Sequence, residues 1–124
     1  MLQGVYKKIF VAFLMLHASY FVKGQDLYSK GDYYNLFMAS FMYMTAAKAC
    51  NLNQHISTAD NTFTKVIAFG NRNNLQNSQT LEIIQNLSAY TSKGIDGFKQ
   101  TSKISCSEVG KYVQQLSGVA SKLN

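Results

Sequence analysis

The chain of 124 residues contains no proline and no tryptophan, and only eight glycines. Proline and glycine most often interrupt regular structure, so their scarcity leaves few obligatory turns. Apolar residues recur mostly at the spacing of one helix face and seldom in the alternation of a strand. The sequence therefore favours an all-α fold over any sheet.

Charge is also sparse, with 12 basic and six acidic residues and a formal net charge of +6. In the C-terminal hundred residues the basic side chains are spread from Lys30 to Lys122 without forming a run. Nucleic-acid binding and attachment to anionic membranes both call for clustered basic residues. We therefore expect neither a nucleic acid nor a polybasic membrane contact.

The first 24 residues have the three parts of a secretory signal peptide. Lys7 and Lys8 precede an apolar stretch over residues 9–16, and a more polar tail ends at the small residue Gly24. The apolar stretch is shorter than the ~20 residues that a membrane-spanning helix needs. This pattern predicts an exported protein, periplasmic or secreted, with no membrane span after cleavage.

Cleavage is predicted before Gln25, which makes residues 1–24 the signal peptide and residues 25–124 a single helical domain. An uncleaved anchor that extends through Val22 is the alternative. A chain of this length is sufficient for one small core but not for a second domain.

The two cysteines, Cys50 and Cys106, both lie in the predicted mature chain. An even pair in an exported protein favours one intramolecular disulfide. The alternative is a redox or metal pair, but the sequence has no C-x-x-C spacing and no histidine cluster beside either cysteine. We therefore predict a Cys50–Cys106 bridge.

Four segments carry helical periodicity and predict a small four-helix bundle-like domain. The first runs from about Asp32 to Cys50 and follows Ser29, a suitable capping residue. Its body is apolar on nearly all sides, which predicts a central helix surrounded by the others.

The second predicted helix starts at Ser57, where Ser57 and Asp60 have the form of a capping box, and stops at Gly70. The third begins near Ser78, and a bend or break is expected where glycines weaken its last third. These glycines are Gly94 and Gly97. Its inward face is predicted to carry Leu81, Ile84, Leu87, Ile95 and Phe98.

The fourth predicted helix follows Ser105, which forms a capping-box pattern with Glu108. Its apolar residues follow the helical spacing closely: Val109, Tyr112, Val113, Leu116, Ala120 and Leu123. If the helices alternate in direction, the end of the first and the start of the fourth lie at the same end of the bundle. The predicted disulfide fits this arrangement.

Groups that carry catalysis or bind metals are few. His55 is the only histidine of the predicted mature chain, and an enzyme would have to combine it with Asp60 or Ser57. A solvated histidine, or one bonded to a helix end, is the favoured interpretation. No carboxylate cluster, zinc-ligand spacing or Gly-rich phosphate loop is present. We therefore predict no enzyme, no metal and no cofactor.

The first helix concentrates methionine and aromatic side chains: Tyr33, Tyr34, Phe37, Met38, Phe41, Met42, Tyr43 and Met44. Such side chains line apolar ligand cavities and adaptable protein grooves, although most should be core in a small bundle. The candidate ligand-binding residues are Phe37, Phe41 and Met44.

Asn86, Leu87 and Ser88 form an acceptor sequence for N-linked glycosylation. It has a role only in a eukaryotic secretory pathway and only if Asn86 faces solvent. The predicted helix places the neighbouring Leu87 inward, which weakens this interpretation.

The leading functional prediction is a small exported, non-enzymatic helical interaction protein, a binder, inhibitor or immunity-like module whose partner is another protein. The alternative is a carrier that holds an apolar small molecule in the pocket lined by methionine and aromatic residues. The architecture is similar to that of periplasmic acid-stress chaperones and small immunity proteins, a likeness of fold without a shared motif.

Overall fold

The computed structural model describes residues 27–101 and 104–123. The predicted signal peptide and its cleavage site before Gln25 lie outside the described residues. Within the described ranges the chain forms five α-helices and no strand, which confirms the all-α prediction. The helices are α1 (Lys30–Ala49), α2 (Asn53–Arg72), α3 (Ser78–Gln85), α4 (Leu87–Thr101) and α5 (Cys106–Ala120).

Helix α1 is the centre of the fold. The Ser29 hydroxyl accepts a hydrogen bond from the Asp32 backbone amide at 3.2 Å, as its capping position predicts. All residues from Leu36 to Ala47 are buried, so no side of the helix faces water over more than three turns. Helices α2, α4 and α5 each pack against α1, which confirms that it is surrounded.

Helix α2 begins at Asn53 and not at Ser57, so the predicted start was wrong. Ser57 lies within the second turn of the helix, and the Ser57–Asp60 pattern does not cap it. The chain reverses from α1 to α2 through a short link that contains Asn51 with a φ of 54°. Asparagine tolerates this left-handed conformation better than most residues, which allows the short connection.

A buried polar contact joins α1 to α2 and to the following loop. The Tyr33 hydroxyl donates to the Val66 carbonyl at 2.8 Å and accepts from Gln76 Nε2 at 3.0 Å. Burial raises the pKa of Tyr33 to about 12. A Cβ atom on Gly70 would overlap the Tyr33 hydroxyl, so this helix position requires glycine. Helix α2 continues past Gly70, where the sequence predicts a stop, and ends at Arg72.

The third predicted helix is two helices. The break falls at Asn86, between α3 and α4, whereas Gly94 and Gly97 lie inside α4, so the predicted position of the break was wrong. The start of α3 agrees with the sequence. Asn77 and Thr80 cap it reciprocally, with the Thr80 amide 2.8 Å from Asn77 Oδ1 and the Asn77 amide 2.9 Å from Thr80 Oγ1.

The break also changes which side chains of this segment face the core. Ile83 and Tyr90 are buried, although neither belongs to the predicted inward face. Leu81 and Leu87 are 42% and 37% exposed, so their predicted inward orientation was wrong. Of the remaining predicted inward residues Phe98 is buried, and Ile84 and Ile95 are half-buried.

Helix α5 packs against α1 and α2 through its predicted apolar face. Val109, Val113, Leu116 and Ala120 are buried, while Tyr112 and Leu123 are half-buried. Ser105 occupies the capping position, but its side chain makes no bond to the first-turn amides, and its Oγ lies 2.8 Å from Ser107 Oγ. The predicted Ser105–Glu108 capping box is therefore absent.

The disulfide is present between Cys50 and Cys106, whose Cα atoms are 5.7 Å apart. It joins the C-terminal end of α1 to the first residue of α5. In residues 27–101 and 104–123, no helix is both long enough and apolar enough to cross a membrane.

Reduction of the Cys50–Cys106 bridge, or its replacement by two serines, is expected to lower the free energy of unfolding. The loop that the bridge closes corresponds to about 4 kcal/mol in the chain-entropy model. Chemical unfolding followed by circular dichroism measures the loss, and most helical signal should persist at moderate temperature. Identical transitions with and without reductant would contradict the prediction.

Two glycine substitutions should have opposite effects. Gly70→Ala forces the Tyr33 ring to move and should destabilise the protein by about 1–3 kcal/mol. At Gly118, a Cβ atom would meet no neighbouring group of the described residues within 4 Å. Gly118→Ala should therefore stabilise α5 by about 0.5–1 kcal/mol, because alanine is the better helix former. Thermal melts of both variants test the assignment, and a neutral Gly70→Ala would refute the close contact.

Candidate functional site

The candidate ligand-binding residues of α1 lie inside the protein. Phe37, Phe41 and Met44 are all buried. The ring of Phe63, on α2, lies 5.1 Å from the Phe37 ring in an edge-on arrangement and 5.6 Å from the Phe41 ring. Aromatic rings at these distances and angles make favourable contacts. Phe37 and Phe41 therefore serve as core packing against α2.

A narrow gap lies between α1, α2 and α5. It has no room for a water molecule, and it is lined by Ser40, Tyr43, Ala59, Thr62, Val113 and Leu116. Within the described part of the chain, the buried Ser40 hydroxyl has no hydrogen-bond partner. An unpaired buried hydroxyl costs stability, and the gap beside Ser40 leaves no space for a substrate.

Two tyrosines stack beside this gap. The rings of Tyr43 and Tyr112 are 5.2 Å apart, and Lys111 Nζ lies 5.9 Å from the Tyr112 ring centre. Burial raises the pKa of Tyr43 above its ordinary value, and the nearby Tyr112 and Glu108 raise it further. The buried Tyr43 ring therefore acts as a packing group between α1 and α5.

His55 lies in the first turn of α2 and packs against α5. A Cβ atom on Gly110 would lie 2.6 Å from His55 Nε2, so the imidazole rests directly on the α5 backbone. Its Nδ1 atom is buried, with no hydrogen-bond partner among the described residues. These contacts make His55 a spacer between two helices.

The two residues considered as catalytic partners of His55 are engaged or turned elsewhere. The Asp60 carboxylate lies 3.4 Å from Lys48 Nζ, in an ion pair between α2 and α1. Ser57 is exposed. No hydrogen bond links His55 to either residue in the described ranges, so the geometry does not assemble a nucleophile and base. Across residues 27–101 and 104–123, no group of His, Cys, Asp and Glu side chains is placed to hold a metal ion.

The surface at the junction of α3 and α4 has a different composition from the rest of the protein. We call it the elbow and define it by Leu81, Glu82 and residues 85–89, all of which are exposed. Leu81 and Gln85 are one helical turn apart and so share a face of α3. Residues 73–92 include a single charged side chain, Glu82.

The elbow lies at the surface, on a short helix and its junction with the next one. Helix α3 has eight residues and packs mainly against α4, whereas α1, α2 and α5 pack on one another. Ile83 and Thr80 attach α3 to the core, and its opposite side carries Leu81. The elbow does not emerge from the sequence pattern, because one continuous helix over this segment would turn both leucines inward.

No protein-family model, curated protein or solved structure matches this chain.

If His55 is a spacer, its effect on stability should depend on Gly110. Gly110→Ala brings a methyl group into the imidazole and should destabilise the protein by about 1–3 kcal/mol. In a His55→Ala background the same change should cost much less, because the ring that it meets is absent. A double-mutant cycle from urea unfolding measures this coupling, and additive effects would show that the two residues do not touch.

Proposed function

We propose that the protein is an exported, non-enzymatic helical interaction protein that binds another protein through the elbow. The observation that carries this proposal is the pair of exposed leucines, Leu81 and Leu87, in a 20-residue segment with one charged side chain. Depletion of charge around exposed apolar side chains is typical of the centre of a protein interface.

Two features support export. The N-terminal 24 residues have the pattern of a signal peptide, and Cys50 is bonded to Cys106. Disulfides persist in oxidising compartments and are rare where thiols are kept reduced. The periplasm and the extracellular space both meet this condition.

The body of the fold suits a rigid support for a binding surface. Helices α1, α2 and α5 pack on one another, and the disulfide ties α1 to α5. A surface held by such a body loses little conformational freedom on association, which favours affinity. The carrier alternative has no comparable support. Phe37 and Phe41, which would line its pocket, pack against the Phe63 ring instead.

The chemistry of the elbow defines its partner. Glu82 is the one charge, and its carboxylate accepts a hydrogen bond from Asn86 in the same helix turn. A surface of this kind gains most from an apolar, weakly charged protein surface, with amides and hydroxyls at the rim. Binding should therefore depend little on ionic strength, because screening acts on charge pairs.

Replacing Leu81 and Leu87 by glutamine should weaken partner binding by about tenfold or more, since the apolar area that binding removes from water is lost. The partner is recovered from the exported fraction with the purified, disulfide-bonded domain, identified, and titrated calorimetrically at two salt concentrations. Tyr28→Gln is the matched control because Tyr28 is the third large apolar residue described as exposed.

The control variant should bind as the unaltered protein does, and melts should show all three proteins folded. Equal binding by the double-leucine variant would contradict the assignment of the elbow. Affinity that falls steeply with salt would contradict the proposed chemistry of the partner.

A further inference from the structure

The elbow contains a second chemical feature, an acceptor sequence for N-linked glycosylation. Asn86, Leu87 and Ser88 are the only residues of the chain in the order Asn-x-Ser/Thr, although asparagine is frequent elsewhere in it. The sequence alone predicts a continuous helix here with the neighbouring Leu87 inward, which weakens the interpretation of Asn86 as an acceptor. The structure places the three residues differently.

Asn86 closes α3, and its backbone leaves the helical conformation at φ −124° and ψ 41°. Helix α4 starts at the next residue, so the acceptor sequence spans a break between helices. Asn86, Leu87 and Ser88 are all exposed, and so are the residues immediately before and after them. A large group attached here would extend into solvent without displacing the core.

The reacting atom is accessible. Asn86 Nδ2 donates to the Glu82 carbonyl at 3.0 Å and to the Glu82 carboxylate, and both bonds are at the surface. Neither bond joins Asn86 to another helix. Exposed hydrogen bonds contribute little net stability, so their loss on substitution of Nδ2 leaves the fold intact.

We propose that Asn86 is an acceptor for an N-linked oligosaccharide when the chain passes through a eukaryotic secretory lumen. The donor is a lipid-linked oligosaccharyl diphosphate. Asn86 Nδ2 forms a bond to the anomeric carbon of the sugar, and the bond from that carbon to the diphosphate oxygen breaks. The lipid diphosphate leaves with the bonding electron pair, and the amide proton passes to a base of the transferase.

An oligosaccharide on Asn86 would also regulate the elbow. Leu87 follows the attachment point directly, and Leu81 lies one turn before Gln85 on the same short helix. The glycan therefore covers the leucines to which we assign partner binding. This consequence rests on the proposed function, whereas the acceptor assignment does not.

The acceptor assignment is tested with the full 124-residue chain, expressed with its own N-terminal segment in cultured animal cells. We expect disulfide-bonded protein in the medium whose intact mass exceeds that of the polypeptide by one oligosaccharide. Peptide-N-glycosidase should remove this mass and convert Asn86 to aspartate. Peptide mapping then locates the change.

Four variants make the result specific. Asn86→Gln and Ser88→Ala should lose the added mass, whereas Ser88→Thr should keep it, because threonine also completes the acceptor sequence. Ser92→Ala, at an exposed serine outside the sequence, should keep it as well. Secreted, disulfide-bonded protein with the unmodified mass would overturn the proposal. A chain that stays in the cytosol with two free thiols would overturn it too, together with the prediction of export.

The regulatory consequence has a separate readout. The glycosylated protein should bind the elbow partner at least tenfold more weakly than Asn86→Gln from the same cells. Equal binding by the two forms would leave the acceptor assignment standing and would contradict the role of the elbow. Secreted protein of unmodified mass would contradict the acceptor assignment. If its partner binding were lost in the Leu81 and Leu87 variant, the role of the elbow would still stand.

Discussion

Helix α1 has no polar side, and the rest of the fold follows from the need to enclose it. From Leu36 to Ala47 each residue is buried, including Ser40 and Thr45. Removing this much apolar surface from water is the largest favourable contribution available to a small domain. One amphipathic helix can cover only part of the surface of α1. Helices α2, α4 and α5 must therefore each pack an apolar face against it. The need to bury α1 on all sides thus determines the arrangement of these three helices.

Close contacts between helices then fix the positions of α1, α2 and α5 relative to one another. Tyr33 reaches across to the backbone of α2 at Gly70, and His55 reaches from α2 to the backbone of α5 at Gly110. In both places the absence of a side chain lets a ring lie against a helix backbone. The Cys50–Cys106 disulfide also links the C-terminal end of α1 covalently to the N-terminal end of α5. Together these contacts leave α1, α2 and α5 little freedom to slide.

The sequence predicted the parts of this fold that local pattern determines. The central α1, the apolar face of α5 and the disulfide follow from composition and spacing. The predicted start of α2 was wrong because Ser57 and Asp60 are also compatible with a helix interior, so their spacing does not fix a boundary. The Asn77 and Thr80 cap of α3 does not have the Ser-x-x-Asp or Ser-x-x-Glu form that the sequence shows at the other predicted helix starts, so the pattern did not predict it. An asparagine that bonds a first-turn amide is an equally good signal.

The elbow was missed for a different reason, which is the loss of helical phase at Asn86. A face assigned by counting three and four residues holds only while the helix is continuous. One helix ends at Gln85 and another begins at Leu87, so residues on the two sides of the break no longer share one continuous helix face. Ile83 and Tyr90 then turn to the core, and Leu81 and Leu87 turn to solvent.

The same break places Asn86 between two helices, where its backbone leaves the helical conformation. The exposed leucines and the non-helical backbone of Asn86 therefore have one structural cause, and any change that fused α3 and α4 into one helix would remove both. The Asn86 backbone amide donates to the Glu82 carbonyl at 3.1 Å to close α3, and the Asn86 carbonyl accepts from the Tyr90 amide at 3.0 Å to begin α4. Asn86 thus ends one helix and starts the next, and the properties of the elbow depend on that position.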